Sequence, residues 1–172
     1  LFPIWDQLTP AQQRTLAGSA VRREAPKGTL LHNGSADCVG LFVVLDGVLR
    51  VFAQSEGGKE ITLYRLLERD ICLFSAACIL SSVQFDMQVQ AETDTNFLVI
   101  PAPVYKTLMH ESLPVANFTN QLMASRFTEV MWLLDQILSK SFDARLAAFL
   151  LEEAGVRQSM ELPLTHEQIA GH

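Results

Sequence analysis

The apolar pattern of this 172-residue chain changes period at Pro101, and no other feature limits its fold as much. From Arg22 to about Ile100 the apolar residues come in short runs rich in branched and aromatic side chains. Among them are "LFVVL" (41–45), "VLRVF" (48–52) and "ITLYRL" (61–66), with "DG" and "EGGK" between them. Such runs read as strands, and the glycine pairs as the turns that hairpins need. "FDMQVQAETDTNFLVIP" adds two more strands, the second ending at Pro101, whose missing N–H suits a strand end and not an interior. Several short strands at this spacing predict an antiparallel sandwich or barrel.

Beyond Pro101 the spacing is helical. "APVYKTLMH" predicts a short helix and "LPVANFTNQLMASRFTEVMWLLDQILSKS" a long one, about 35–40 Å at 1.5 Å per residue. Within it Met123, Phe127, Val130, Leu134 and Ile137 alternate steps of four and three, the seam of a helix pair. Carried backwards, the seam places Asn120 at a position where an amide fixes register. Met131, Trp132, Leu133 and Leu138 widen the apolar surface, so one side is expected against the sheet and the seam against a second subunit.

The flanking segments carry end signals. Thr9, Pro10 and Gln12 make a capped helix start before the strands. "SFDARLAAFLLEEAG" predicts a helix capped by Ser141 and stopped by Gly155, with Leu146, Phe149 and Leu150 on its apolar face. Thr165 and Gln168 in "THEQIAGH" have capping-box spacing at a further helix start. The opening "LFPIW", without methionine, and the mid-helix stop at "EQIAGH" suggest a piece of a longer protein.

A net charge of −6 argues against chain-wide affinity for nucleic acid or anionic membrane, so any DNA contact must be local. Three cysteines, no leader and no apolar run near the roughly 18 residues of a membrane span lead us to expect a cytoplasmic protein with no membrane partner. A chain this long builds a core without disulfides.

A strand-rich region, a long helix and short helices ending in "LTHEQIAGH" together resemble the Crp/Fnr family of bacterial transcription regulators. The matching pieces, in family order, are "PKGTLL" with Gly28, "HNGSADCVGLFVVLDGVLRVF" with Gly34 and Gly47, "EGGKEITLYRLLERD" with Gly58 and Asp70, "DARLAAFLLEE" and "LPLTHEQIA". The resemblance implies an α+β protein. Residues 1–113 would be an effector-binding antiparallel β jelly roll of the cyclic-nucleotide-binding type, with its N-terminal helix. Residues 114–138 would be a dimerisation helix, and 139–172 the start of a winged helix-turn-helix DNA-binding domain whose recognition helix is missing. It implies DNA as a partner of the intact C-terminal domain, a homodimer, a small-molecule effector of unknown identity, and RNA polymerase among the partners it admits. Thr165 and His166 fall where the family's first helix touches phosphate, a position equally suited to a plain helix cap. From Ser139 onward acid outweighs base, so this chain alone is expected to bind DNA weakly or not at all.

The stretch "RDICLFSAACIL" (69–80) stands where nucleotide-binding members carry a Gly-Glu-Leu, and Phe85 and Asp86 stand where they carry the Arg-Ser that holds the cyclic phosphate. A phenyl ring and a carboxylate cannot replace that cationic fork, so cyclic AMP is not expected to bind. The pocket itself is expected to remain, apolar, with Cys72, Phe74, Ser75, Ala76, Ala77, Cys78, Phe85 and Asp86 as candidate ligand-binding residues. Cys72 and Cys78 would lie roughly 20 Å apart in one strand, or about 240° apart around one helix, so neither arrangement chelates or bridges unless the chain turns between them, as the family's short helix here allows. Cys38 and His32 would then have to arrive to complete four ligands. Iron–sulfur members use four cysteines, mostly in a tight N-terminal cluster, whereas Cys38, Cys72 and Cys78 are scattered. His32, His110, Cys38 and Met87 stand in no haem motif. No metal or other cofactor is expected. The cysteines read first as buried small hydrophobes, then as redox or covalent sensors, then as metal ligands.

The sequence therefore predicts a dimeric DNA-binding regulator controlled by a small effector or redox signal, without catalytic residues. A cupin-like jelly-roll metalloenzyme is the alternative, but it needs a His-x-His pair, and His32 is the only histidine of the strand region. A stand-alone ligand-binding module is the third reading.

Overall fold

Residue-by-residue burial explains why two strands of this protein look so different in sequence. "MQVQA" alternates apolar and polar because only one face of its strand is covered; "LFVVL" does not, because both of its faces are. The computed structural model describes residues 2–34, 39–55, 58, 60–73, 87–159, 161–165 and 169. Phe74, Ser75, Ala76, Ala77, Cys78, Phe85, Asp86, His166 and Cys38 lie outside the described residues.

The elements follow the expected order. A short 3-10 turn (Trp5–Gln7) and helix α1 (Pro10–Ser19) precede eight strands: β1 (Val21–Ala25), β2 (Leu30–Asn33), β3 (Leu41–Asp46), β4 (Leu49–Gln54), β5 (Glu60–Leu66), β6 (Ile71–Cys72), β7 (Met87–Ala91) and β8 (Thr95–Ile100). Helices α2 (Ala102–Glu111), α3 (Leu113–Ser139) and α4 (Phe142–Arg157) follow. The strands form two antiparallel four-stranded sheets, β1-β8-β3-β6 and β2-β7-β4-β5. This is the predicted α+β arrangement, a jelly roll followed by helices.

Two cores result. Phe42, Val44 and Phe97 face Leu49, Val51, Leu66 and Val89 between the sheets. On the outer side of the first sheet, Leu41, Val43, Ile71 and Ile100 pack against Leu16, Tyr105, Leu108 and Val115 of the helices. The inner core carries an edge-on aromatic pair, Phe42 and Phe97, with ring centroids 5.1 Å apart.

Strand β5 carries a bulge. Val51 of β4 lies opposite Tyr64 but the next residue, Phe52, lies opposite Thr62, which leaves Leu63 as the extra residue. Leu63 and Tyr64 consequently both pack on the inner core. Glu60 and Thr62 face outward, where Arg50 donates to both, at 2.8 Å each.

The helix ends follow local chemistry. Thr9 accepts from the Gln12 N–H while Gln12 accepts from the Thr9 N–H, the predicted capping box. Ser141 caps α4 by accepting from the Ala144 N–H. The expected stop at Gly155 is not where α4 ends. The helix continues to Arg157, whose guanidinium bonds Glu153 one turn back at 2.9 Å, and it closes at Gln158 in the left-handed region, with φ 49°.

Gly47, in the β3–β4 turn, has φ 90°, and a Cβ built there would lie 2.5 Å from the Asp94 carbonyl oxygen. We expect Gly47→Ala to cost about 2–4 kcal/mol, from left-handed strain plus overpacking against the 94–95 turn. The midpoint of urea unfolding measures it, and an unchanged midpoint would contradict the close approach.

Candidate functional site

Three functional surfaces can be built from the residues upward: the inner end of the jelly roll around Cys72, the exposed face of α3, and the junction of α4 with the sheet.

Cys72 lies in β6 opposite Phe42 of β3 and is fully buried in the inner core. The neighbouring group from β5 is Tyr64, whose side chain points inward. Burial, reinforced by Cys72, pushes the Tyr64 pKa well above its usual value, with Arg126 pulling in the opposite direction. The Arg126 guanidinium of α3 sits over the Tyr64 ring, 4.8 Å from its centroid. It is buried and donates from one nitrogen to both Glu129 oxygens at 2.8 Å, with Asp70 at 3.8 Å. Burial works to lower its pKa, but Glu129 outweighs it, so Arg126 stays charged. Asp70 also accepts from the Leu67 N–H at 2.9 Å and so fixes the turn that precedes Cys72. A cation, an aromatic ring and a thiol thus lie buried together at the end of the inner core, with the long helix as one wall.

Arg126 and Tyr64 were missing from the sequence-based candidates, although a signal was present. Val115, Thr119, Leu122 and Arg126 are spaced four, three and four, a second stripe on α3 opposite in role to the seam. Val115, Thr119 and Arg126 are its buried residues. Thr119 is satisfied there, donating to the Val115 carbonyl and sharing a 2.8 Å hydrogen bond with the Tyr105 hydroxyl. Along the seam, Met123 packs on the outer core, Asn120 is exposed and Val130 is half-buried. Phe127 (67 %), Leu134 (43 %) and Ile137 (41 %) are exposed, as are Met131, Trp132 and Leu138 beside them. The distal half of α3 thus carries a continuous uncovered apolar face.

Helix α4 is tied to the sheet by charge. Arg65 of β5 hydrogen-bonds Glu92 through two nitrogens at 2.7 and 3.1 Å and forms ion pairs with Glu153 of α4 at 2.6 Å and Glu152 at 3.6 Å. Its side chain is 7 % exposed and that of Glu153 only 2 %. Burial works to lower the Arg65 pKa, yet Glu92, then Glu153 and Glu152, hold it above its usual value. The carboxylate of Glu153 also accepts from Arg157. Beyond α4, the Ile169 N–H bonds the Thr165 carbonyl at 3.0 Å.

Among the described residues no group of three or more His, Cys, Asp and Glu is placed to hold a metal, and no helix is long and apolar enough to cross a membrane. His32 is buried in β2 and His110 is exposed in the last turn of α2.

Comparison with known proteins fits this geometry. Residues 22–112 match the cyclic nucleotide-binding domain. The crystal structure of a transcriptional regulator of the Crp/Fnr family from Eubacterium rectale is similar at 50% identity and TM-score 0.96, over 99% of this chain and 79% of that one. Two further regulators share the fold. The c-di-GMP-responsive global regulator CLP of Xanthomonas campestris has 15% identity and TM-score 0.70, over 90% of this chain and 77% of its own. FixK2 of Bradyrhizobium japonicum has 18% identity and TM-score 0.72, over 88% and 76%. No curated protein matches the chain.

The Arg65 cluster generates a test. Removing one partner of a buried ion pair costs 3–5 kcal/mol when the other charge is stranded, and Glu92 leaves Arg65 only partly stranded. Glu153→Met should therefore cost about 2–4 kcal/mol and raise amide exchange along α4 specifically. Unchanged exchange in α4 would show that its apolar face alone holds it.

Proposed function

This chain belongs to the Crp/Fnr family of transcriptional regulators, and we propose that it is the sensing and dimerising part of a cytoplasmic DNA-binding regulator that answers a small effector other than cyclic AMP. The observation that carries this reading is the double use of α3. One stripe of the helix seats Arg126 over Tyr64 at the end of the inner core, and its distal half presents an uncovered apolar face. A signal that shifts Tyr64 or its neighbours therefore bears on the helix that would pair with a second copy, the coupling that two-state regulation requires. The intact C-terminal domain would take this to DNA, with RNA polymerase as the downstream partner. Full burial of Cys72 supports its reading as a core residue over a redox sensor, since reactive thiols are partly exposed. The 50% identical relative is a regulator, which speaks against the metalloenzyme alternative.

Two outcomes follow. Val130→Glu with Leu134→Glu places charge on the seam, where neither side chain is part of the buried core; the variant should sediment as a folded monomer where the parent is a dimer. Dimeric sedimentation of the variant would move the interface elsewhere. Calorimetry with millimolar cyclic AMP should show no saturable heat, because Phe85 and Asp86 replace the Arg-Ser pair. Submillimolar affinity would overturn the effector reading.

A further inference from the structure

An apolar pocket of about 450 Å³, partly open to solvent, lies outside the jelly roll. Its floor is the outer face of the first sheet, where Val43, Leu98 and Ile100 point away from the inner core. One wall is α1, which offers Leu16 and the small Ala17 there, and the N-terminal turn supplies Phe2 and Trp5. The space has a sequence cause. Following Leu16, the segment "AGSA" (17–20) carries only small side chains, which fill little of the space above the aliphatic sheet positions.

We propose that this cavity is a binding site for an uncharged, largely apolar aromatic or alicyclic small molecule, separate from the effector site at the inner end of the jelly roll. The size lies within the range of about 300–1,000 Å³ typical of small-molecule sites. Among the described residues the lining has no carboxylate, ammonium, guanidinium or hydroxyl group, and the Trp5 indole N–H is their one side-chain donor. Water against such a lining finds few polar partners, so an apolar occupant displaces it favourably. A charged ligand would be desolvated without compensation. Two aromatic walls favour ring-bearing molecules through stacked or edge-on contacts. The site also touches the core that seats the long helix: Phe2 packs on Phe118 of α3 with ring centroids 5.6 Å apart. An occupant leaning on Phe2 therefore bears on α3.

Two probes that differ by one charge test this: N-phenyl-1-naphthylamine, which is neutral, and 8-anilinonaphthalene-1-sulfonate, which is not. Both are titrated into the 172-residue chain carrying Trp132→Phe, so that Trp5 is the sole energy donor. The neutral probe should bind saturably with energy transfer from Trp5, and the sulfonate at least about tenfold more weakly. Ala17→Phe fills the cavity from an exposed helix position that tolerates bulk, and Leu98→Phe fills it from the sheet. Each should weaken the neutral probe by about tenfold or more, while Val130→Glu with Leu134→Glu on α3 should not. Absence of saturable binding, equal affinity for the sulfonate, or indifference to both filling variants would overturn the proposal. Because this readout requires neither DNA nor a dimer, its failure is separate from failure of the regulatory reading.

Discussion

Strand β3 has to be covered twice. Phe42 and Val44 fill the space between the sheets, while Leu41 and Val43 leave an equally apolar surface on the outside. Burying a large aliphatic side chain is worth roughly 1.5–3 kcal/mol, so the outer face cannot be left to water without a substantial loss. The N-terminal turn, α1, α2 and the first half of α3 cover it, and Tyr105 and Val115 become core residues of a strand domain to which they contribute no strand. The placement of the long helix follows from that coverage: α3 is fixed where it crosses the sheet and free of it beyond.

Two adjacent residues of one edge strand then carry the polar joints. Tyr64 points inward and meets Arg126 of α3; Arg65 points outward and meets Glu153 of α4. Both guanidiniums are buried, and the carboxylates around them more than offset the effect of that burial on their charge. Such joints hold one geometry firmly and tolerate others poorly, since a buried ion pair that separates leaves each charge desolvated. Apolar contacts slide at lower cost. A strand edge paired in this way with two consecutive helices fixes where both of them sit against the jelly roll.

Much of this was legible in the sequence because it depends on neighbours along the chain. The capping box at Thr9, the Ser141 cap, the strand that ends before Pro101 and the long helix from 113 onward are local effects of side-chain chemistry and spacing. What was not legible depends on residues distant in sequence. Arg126 and Glu129 have the spacing of an ordinary solvent-facing pair, and only the arrival of Tyr64 from β5 makes them part of a core. Glu153 reads as a surface acid of an amphipathic helix until Arg65 lies beneath it. Gly155 had the chemistry of a helix stop but not the tertiary need for one, because Arg157 finds its partner one turn back. The candidate pocket wall from Phe74 to Asp86 lies outside the described residues, and of that set only Cys72 is placed.

The bulge at Leu63 has a consequence for how such a protein can change over generations. On one side of it Glu60 and Thr62 face outward; on the other Tyr64 faces in and Arg65 out. Deleting a single residue here would restore regular pairing and at the same time reverse the phase of one half of the strand relative to the other. The length of this strand in residues, as much as their identity, decides which helix each side chain reaches.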